Sequence, residues 1–252
     1  MLRAALLVVH IAWGLILATL LAFGAARRSR ERLAQRWHNR LLGIFGVRLR
    51  VEGAPLHEPH ITVANHVSWL DIPILGALEP TRFVGKSEIR LWPIAGWLAT
   101  AAGTFFLRRG KGGAALLVDR LVPHLLAKGS LVIFPEGTTT DGTEVRPFHA
   151  RLLGAAIGAQ RPIQPVTIQY GLSEDGDNIA PFIGDDSLGA HVLRLLQNPR
   201  LHARVVYGPP IRPTVGRDQL ASEAESFVRA ALQPPARPRA SEPVAIPHWL
   251  RA

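Results

Sequence analysis

The sequence predicts an α/β domain with a mixed, mostly parallel central sheet flanked by helices, preceded by an N-terminal membrane-associated helical segment. Short β-prone runs alternate with helix-prone runs from about residue 48 onward, which is typical of such a sheet. The run SLVIF at residues 130–134 is almost wholly apolar, as expected of a strand buried on both faces. The first 26 residues are strongly apolar, which favours the membrane-associated segment. The chain has 252 residues and 48% hydrophobic content, enough for one sizeable domain with appendages.

The N-terminal stretch at residues 4–26 is about as long as a membrane-spanning helix requires, and His10 is its only ionisable residue before the arginines begin. Six arginines follow between Arg27 and Arg40, with Glu31 as the single acid. A basic segment beside an apolar one favours anionic lipid on the cytoplasmic side of a membrane. A secretory signal peptide ending at FGAA is the alternative, and the arginines just beyond that site disfavour it.

A second, amphipathic helix is indicated directly after the apolar stretch, because apolar residues recur there at helical spacing. They are Leu33, Trp37, Leu41, Leu42 and Phe45. We therefore assign residues 1–46 to a membrane helix plus a basic amphipathic helix, 47–232 to the α/β domain and 233–252 to a Pro-rich tail. Whether the first helix spans the bilayer or lies within one leaflet stays open.

Seven strands and six helices are predicted in the domain. The strand runs are RLRVEG, HITVAN, RFVGK, TFFLRR, SLVIFPEG, IQPVTIQY and ARVVYG. The helical patterns cover about 72–78, 88–100, 112–126, 149–159, 188–196 and 218–232. The apolar run LWPIAGWLAT at 91–100 fits the core slightly better than an acyl-chain groove, and Trp69, Trp92 and Trp97 fit core or membrane-facing positions better than substrate contacts.

The amino-acid composition excludes cysteine chemistry and favours an anionic partner. The chain has no cysteine, so disulfides, thiolate nucleophiles and thiolate metal sites are unavailable. Its net charge of +10 is carried almost wholly by arginine. Such a balance favours an anionic partner: a phospholipid surface, a phosphorylated substrate or a nucleic acid.

The stretch NHVSWLD, Asn65 to Asp71, lies where a strand gives way to a helix. Residues five apart point about 140° from each other on a helix, so His66 and Asp71 meet only if His66 precedes the helix. Pro73 supports a helix start near Ile72. Asp71 would then orient the His66 ring and leave Nε2 free as a general base. The alternative is that Asp71 is a plain helix N-cap and His66 a loop histidine.

Other polar residues follow neighbouring strands at the same predicted edge, which is where ligands bind in open α/β sheets. Glu136 lies in the turn after SLVI, Arg108 and Arg109 follow TFFL, and Lys86 ends RFVGK. Cations and a carboxylate are thus expected beside His66.

Four blocks in this order and spacing resemble the glycerolipid acyltransferase family of lysophosphatidic acid and glycerol-3-phosphate acyltransferases. The first block of the family is matched by Asn65, His66 and Asp71, and the second by Gly103, Phe106 and Arg109. The third is matched by Phe134, Pro135, Glu136, Gly137 and Thr138, and the fourth by the strand IQPVTI with Pro165. Lys86 and Glu88 match a further K-x-E element. The similarity covers about residues 51–207. Many family members carry arginine where this chain has Thr139. The pattern is also similar to a bacterial branch that includes lyso-ornithine lipid acyltransferases.

The resemblance implies a membrane-bound O-acyltransferase that moves a fatty acyl group from acyl-CoA or acyl carrier protein to a lysolipid hydroxyl, most simply 1-acyl-sn-glycerol-3-phosphate, with lyso-ornithine lipid as the alternative acceptor. His66 and Asp71 would be catalytic. Lys86, Arg109, Glu136, Gly137 and Thr138 would bind substrate, although Glu136 could equally be a buried turn carboxylate bonded to backbone amides. Direct transfer is expected, with Ser68 as the one local nucleophile for a covalent route.

The expected partners are the lysolipid, the acyl thioester and an anionic membrane, with no cofactor, no metal and no nucleic acid. The expected location is the cytoplasmic side of a bacterial inner membrane. Two other classes stay open. A His/Asp metal hydrolase would need a third and usually a fourth ligand; His149 is the nearest histidine at the same predicted edge, but its spacing matches no metal motif. A membrane-anchored nucleic-acid-binding protein would use the positive charge, but the chain shows no basic recognition helix.

Overall fold

All seven predicted strands are present in the computed structural model, which describes residues 1–22, 27–108, 110, 112–198 and 200–232. The predicted tail at 233–252 lies outside these residues. The strands are β1 Val47–Glu52, β2 Ile61–Ala64, β3 Arg82–Lys86, β4 Phe105–Leu107, β5 Leu131–Ile133, β6 Ile163–Tyr170 and β7 Leu201–Tyr207. The helices are α1 Leu2–Ala22, α2 Arg27–Phe45, α3 Asp71–Leu78, α4 Ala95–Ala102, α5 Gly113–Leu126, α6 Gly154–Ala159, α7 Leu188–Gln197 and α8 Arg217–Ala231, with 3₁₀ turns at Ser87–Leu91 and Ala150–Leu153.

The strands form one sheet in the order β1-β7-β6-β2-β5-β3-β4. Strands β6, β2, β5, β3 and β4 are parallel to one another, whereas β7 is antiparallel to β6 and parallel to β1. The predicted fold class, a mixed and mostly parallel sheet flanked by helices, is therefore confirmed. Because five adjacent strands run the same way, their carboxyl ends share one edge of the sheet.

Two apolar layers cover the sheet. On one face, Leu41, Leu42 and Phe45 of α2 pack with α3 and with side chains from β6 and β7. On the other, residues of α5, α6 and α8 surround inward-facing side chains such as Ile61 and Leu131. Strand β6 is buried along its whole length, as a central strand covered on both faces must be. The amphipathic helix α2 thus contributes to the core of the domain. The division of the chain at residue 46 stays a prediction.

Helix α1 packs against α2 and α4. The His10 ring stacks on Trp37 with centroids 4.7 Å apart, and Trp37 Nε1 donates to His10 O at 3.3 Å. A Cβ placed on Gly14 would lie 3.3 Å from Leu98 Cδ2, so α1 also approaches α4 closely. At the start of α1, Arg3 donates from Nη1 to Leu196 O at 2.9 Å. Within the described residues, α1 is long and apolar enough to cross a membrane over Leu2–Leu20.

The single helix predicted at 88–100 is wrong. The chain forms a 3₁₀ turn at Ser87–Leu91 and then α4 at Ala95–Ala102. Pro93 explains the break, because proline lacks an N–H and restricts the preceding residue to extended conformations. Ile94, immediately after it, has φ of 64°.

The preference for core placement of residues 91–100 is also wrong. Leu91 is 84% exposed, Trp92 43% and Trp97 55%. For the two tryptophans this exposure excludes the core position, and the membrane-facing one stays a prediction. Trp69 does pack against the core, edge-on to Phe45 with ring centroids 5.4 Å apart.

We predict that Gly76→Ala destabilises the fold, because a Cβ at Gly76 would overlap the buried ring of His38 where α3 crosses α2. The free energy of unfolding should fall by about 1–3 kcal/mol. Gly189→Ala is the control: it lies on the exposed side of α7, and a Cβ added there would meet no atom within 4 Å, so helix propensity should leave stability equal or slightly higher. Thermal unfolding in detergent measures both, and equal stability of the two variants would contradict the prediction.

Candidate active site

The candidate site lies at the edge formed by the carboxyl ends of the parallel strands. His66 follows β2, Glu136 follows β5 and Tyr170 ends β6, and these three strands are neighbours in the sheet. Asn65 joins two of them, since its Nδ2 donates to Ile168 O at 2.8 Å and its Oδ1 accepts from Ile168 N at 2.8 Å. The amide side chain therefore continues the β2–β6 pairing by one residue and fixes the start of the loop that carries His66.

His66 and Asp71 meet. His66 Nδ1 and Asp71 Oδ2 are 2.7 Å apart. Since a carboxylate only accepts, Nδ1 carries the proton and Nε2 keeps its lone pair for a substrate proton. Helix α3 begins at Asp71, whose side chain reaches back before the helix.

Asp71 does not act as the plain N-cap considered above. Its side chain is fully buried, and Oδ2 also accepts from Val67 N at 2.7 Å and Ser68 N at 2.9 Å. The other oxygen, Oδ1, accepts from Tyr170 Oη at 2.6 Å. Four donors thus offset the desolvation of one carboxylate.

The His66 ring is held on one side and accessible on another. It stacks on Phe134 with centroids 4.1 Å apart and planes 14° apart, and its side chain is 18% exposed. Ser68 is fully buried, so its hydroxyl is not presented to a substrate as the ring is. This favours His66 over Ser68 as the reacting group.

Glu136 lies under the backbone of the His66 loop. Its Oε1 accepts from His66 N at 2.9 Å and its Oε2 from Arg146 N at 3.2 Å. Burial raises the pKa of Glu136, and the two backbone N–H groups partly oppose that rise. The geometry is that of a turn carboxylate that positions two backbone segments, and a substrate-binding role for Glu136 stays a prediction.

The remaining predicted residues lie around the same edge. Gly137 is exposed with φ of 70°, and Thr138 is half-buried beside it. Lys86 is the last residue of β3, two strands from β2. Arg109 lies outside the described residues. The neighbouring Thr140 N donates to His66 O at 2.8 Å, which closes the loop over the turn after β5.

Sequence reasoning missed two contacts in this site. Tyr170 and Phe134 were assigned to strand and motif positions without a role against Asp71 or His66. Tyr170 could have been found from its place in the sequence, because it puts a hydroxyl at the carboxyl end of a buried strand, where the site residues lie. Among the described residues, no group of three or more His, Asp or Glu side chains could hold a metal ion, and His149 is exposed with its backbone N donating to Pro135 O at 3.0 Å.

A histidine base oriented by a buried carboxylate is suited to activating a hydroxyl. Residues 48–169 match the Acyltransferase family model. A curated relative agrees: the chain is 47% identical to the lyso-ornithine lipid O-acyltransferase of Pseudomonas aeruginosa over 81% of this chain and 79% of that protein. The chain therefore belongs to the acyltransferase family, and the resemblance inferred from the four blocks is confirmed.

A second relative agrees with this membership, and a solved structure shows the same fold. It is 34% identical to the 1-acyl-sn-glycerol-3-phosphate acyltransferase of Neisseria meningitidis over 72% of each chain. The fold is similar to the crystal structure of the 1-acyl-sn-glycerophosphate acyltransferase PlsC from Thermotoga maritima, with a TM-score of 0.69, 20% identity and 91% coverage of both chains. That structural likeness supports the fold.

We predict that Glu136→Gln lowers kcat about tenfold and leaves the KM of the acceptor unchanged. The amide would turn its NH₂ toward one of two N–H donors, so one hydrogen bond that positions His66 or Arg146 is lost. Steady-state kinetics with varied acceptor separate the effects. Glu144→Gln, an exposed acid on the same loop, should behave like the unaltered enzyme. A raised KM with unchanged kcat would instead assign Glu136 to substrate binding.

Proposed function

We propose that this enzyme transfers a fatty acyl group from an acyl thioester to the free hydroxyl of a lyso-ornithine lipid. The observation that carries the reaction class is the hydrogen bond from His66 Nδ1 to the fully buried Asp71 carboxylate. The acceptor is favoured by the 47% identity to the Pseudomonas aeruginosa protein named for that reaction. No cofactor is needed beyond acyl-CoA or acyl carrier protein as co-substrate.

In this mechanism, His66 Nε2 removes the proton from the acceptor hydroxyl as its oxygen attacks the thioester carbonyl carbon. Asp71 stabilises the imidazolium that forms. The tetrahedral intermediate then collapses, the C–S bond breaks, and the thiolate takes the proton back from His66. The products are an ester and a free thiol, and His66 returns to its starting tautomer. Transfer is direct, since Ser68 is buried beneath the loop.

Charge that develops on the carbonyl oxygen requires donors close to His66. Gly137 N already donates to Phe134 O at 3.2 Å, so we assign this task to the backbone N–H groups that follow it in the turn, beginning with that of Thr138. That turn follows Glu136, whose carboxylate is bonded to His66 N, so the turn and the base are held in one arrangement. Exposed, left-handed Gly137 leaves room above the turn for the thioester.

The residue at position 139 bears on which acceptor headgroup the site binds. Where many family members have arginine, Thr139 Oγ1 donates to Phe182 O at 2.5 Å. The side chain is therefore engaged with the segment before α7 and adds no cation for a phosphate. An ornithine headgroup carries an ammonium and a carboxylate and no phosphate, which suits this substitution.

Lysophosphatidic acid is the second candidate acceptor. The Neisseria meningitidis relative named for that substrate is 34% identical to this chain. In this case Lys86 and Arg109 would hold the acceptor phosphate as a pair of cations.

The enzyme works on membrane lipid, and we place it on the cytoplasmic side of a bacterial inner membrane. Its apolar face consists of Val8, Val9, Trp13, Ile16 and Leu20 of α1 with Leu91, Trp92, Ile94 and Trp97 around the start of α4, all of them well exposed. These nine exposed side chains belong to two elements that pack together, and they exceed the scattered apolar residues normal on soluble proteins. Exposed Arg32, Arg36 and Arg40 of α2 supply positive charge for anionic lipid.

An acceptor panel tests the reaction. Purified enzyme with a labelled long-chain acyl thioester should acylate lyso-ornithine lipid with a kcat/KM at least about tenfold above that for lysophosphatidic acid. Asp71→Asn should lose most of the activity and stay folded, because the amide no longer fixes the His66 tautomer. A preference for lysophosphatidic acid would show that lyso-ornithine lipid is not the main acceptor. Activity that is lost on chelation would favour a metal hydrolase.

The apolar face is tested by Trp97→Glu. Placing a carboxylate in the membrane interface should reduce co-sedimentation with anionic vesicles about tenfold or more. Leu126→Glu is the matched control: Leu126 is 56% exposed and ends α5 before β5, at the opposite edge of the sheet. Equal binding of both variants would exclude the α4 side of the face from membrane contact.

A further inference from the structure

The second oxygen of the catalytic carboxylate has a partner of its own. Tyr170, the last residue of β6, donates from Oη to Asp71 Oδ1 at 2.6 Å. The tyrosine is 4% exposed and Asp71 is fully buried, so no solvent competes for this bond. Oδ2 meanwhile serves His66 Nδ1 and two backbone N–H groups. The two carboxylate oxygens are thus fixed from opposite sides, and rotation of the carboxylate would break both sets of bonds.

We propose that Tyr170 is a positioning residue that orients the Asp71 carboxylate and, by sharing its negative charge, sets the proton affinity of the His66 ring. The proposal rests on His66 acting as the general base of the proposed function. A strong donor on Oδ1 disperses carboxylate charge away from Oδ2. The imidazolium that forms during transfer is then stabilised less than by an unshared carboxylate, so we expect the acidic limb of the pH–rate profile at lower pH with this donor than without it.

The hydroxyl is suited to this role because it keeps its proton. Burial and the charge of Asp71 raise the pKa of Tyr170 well above its usual value. Other titratable groups also face the base. Glu136, from the turn after β5, bonds to His66 N and lies close enough to feel the charges of His66 and Asp71. Glu136 stays the same in every variant below, so differences among them report on Tyr170.

The chain offers a matched control, since its two tyrosines are Tyr170 and Tyr207. Tyr207 is 7% exposed and its hydroxyl has no hydrogen-bond partner among the described residues. Tyr170→Phe should lower kcat about tenfold, leave both KM values unchanged and move the acidic limb of kcat/KM to higher pH. Tyr207→Phe should change none of these. Equal effects of the two substitutions, or a Tyr170→Phe enzyme with the original pH profile, would overturn the proposal.

A graded series avoids dependence on the stability of Tyr170→Phe. In the Tyr207→Phe background, biosynthetic 3-fluorotyrosine replaces Tyr170 alone with a more acidic phenol, which is a stronger donor of nearly the same shape. The acidic limb of kcat/KM should then move to lower pH. The pH of this limb should rise in the order 3-fluorotyrosine, tyrosine, phenylalanine at position 170. A purely structural role for Tyr170 predicts one common limb for all folded enzymes, and that result would contradict the proposal.

Fluorine NMR of the same fluorotyrosine protein gives a readout without turnover. Its single resonance should shift when Asp71→Asn is introduced and should titrate with the acidic limb. A resonance insensitive to both changes would overturn the Tyr170–Asp71 coupling. Failure of the proposed function has a different signature: no thioester consumption with any acceptor, while the resonance still responds to Asp71→Asn.

Discussion

The active site depends on one buried carboxylate. Removing an ionised Asp71 from water costs several kcal/mol unless hydrogen bonds replace its hydration. Its four donors come from three places: the His66 ring, the backbone of the loop before α3, and Tyr170 on the neighbouring strand β6. The charge is therefore stable only when β2, α3 and β6 are already assembled. Once it is in place, it fixes which nitrogen of His66 carries the proton, and thereby creates the base.

The sheet topology provides this assembly. Strand β2 lies between β5 and β6, so the loop that carries His66 receives side chains from both neighbours. Asn65 ties it to β6 through two hydrogen bonds to Ile168, Glu136 ties it to the turn after β5, and Phe134 stacks on the ring. Each contact joins residues about 70 to 100 positions apart in the chain. A histidine held from two sides loses little freedom on binding substrate, which favours catalysis.

The elements that carry the exposed apolar side chains adjoin the catalytic edge. The 3₁₀ turn at Ser87–Leu91 directly continues β3, whose carboxyl end belongs to the catalytic edge, and it leads into α4 against α1. An apolar surface next to a polar catalytic edge suits an enzyme whose acceptor has its tail in a bilayer and its reactive hydroxyl at the interface. Trp92 and Trp97 are exposed on this apolar surface.

The sequence by itself determined the seven strands and the fold class, because strand runs and helical patterns act over short distances along the chain. The five-residue spacing and Pro73 left an N-cap role for Asp71 open beside the His66–Asp71 pair, and the resemblance of the four blocks favoured the pair. The break at Pro93 was also encoded locally, although the helical pattern around it concealed the signal. Only the tertiary structure decided that Tyr170 and Phe134 would meet Asp71 and His66, since strand order, which no local pattern specifies, brings them together. It also decided that Leu91, Trp92, Ile94 and Trp97 are exposed while Leu98 packs against α1, because their burial depends on where α1 lies. Local patterns assign elements, whereas contacts between distant residues depend on the free energy of the whole fold.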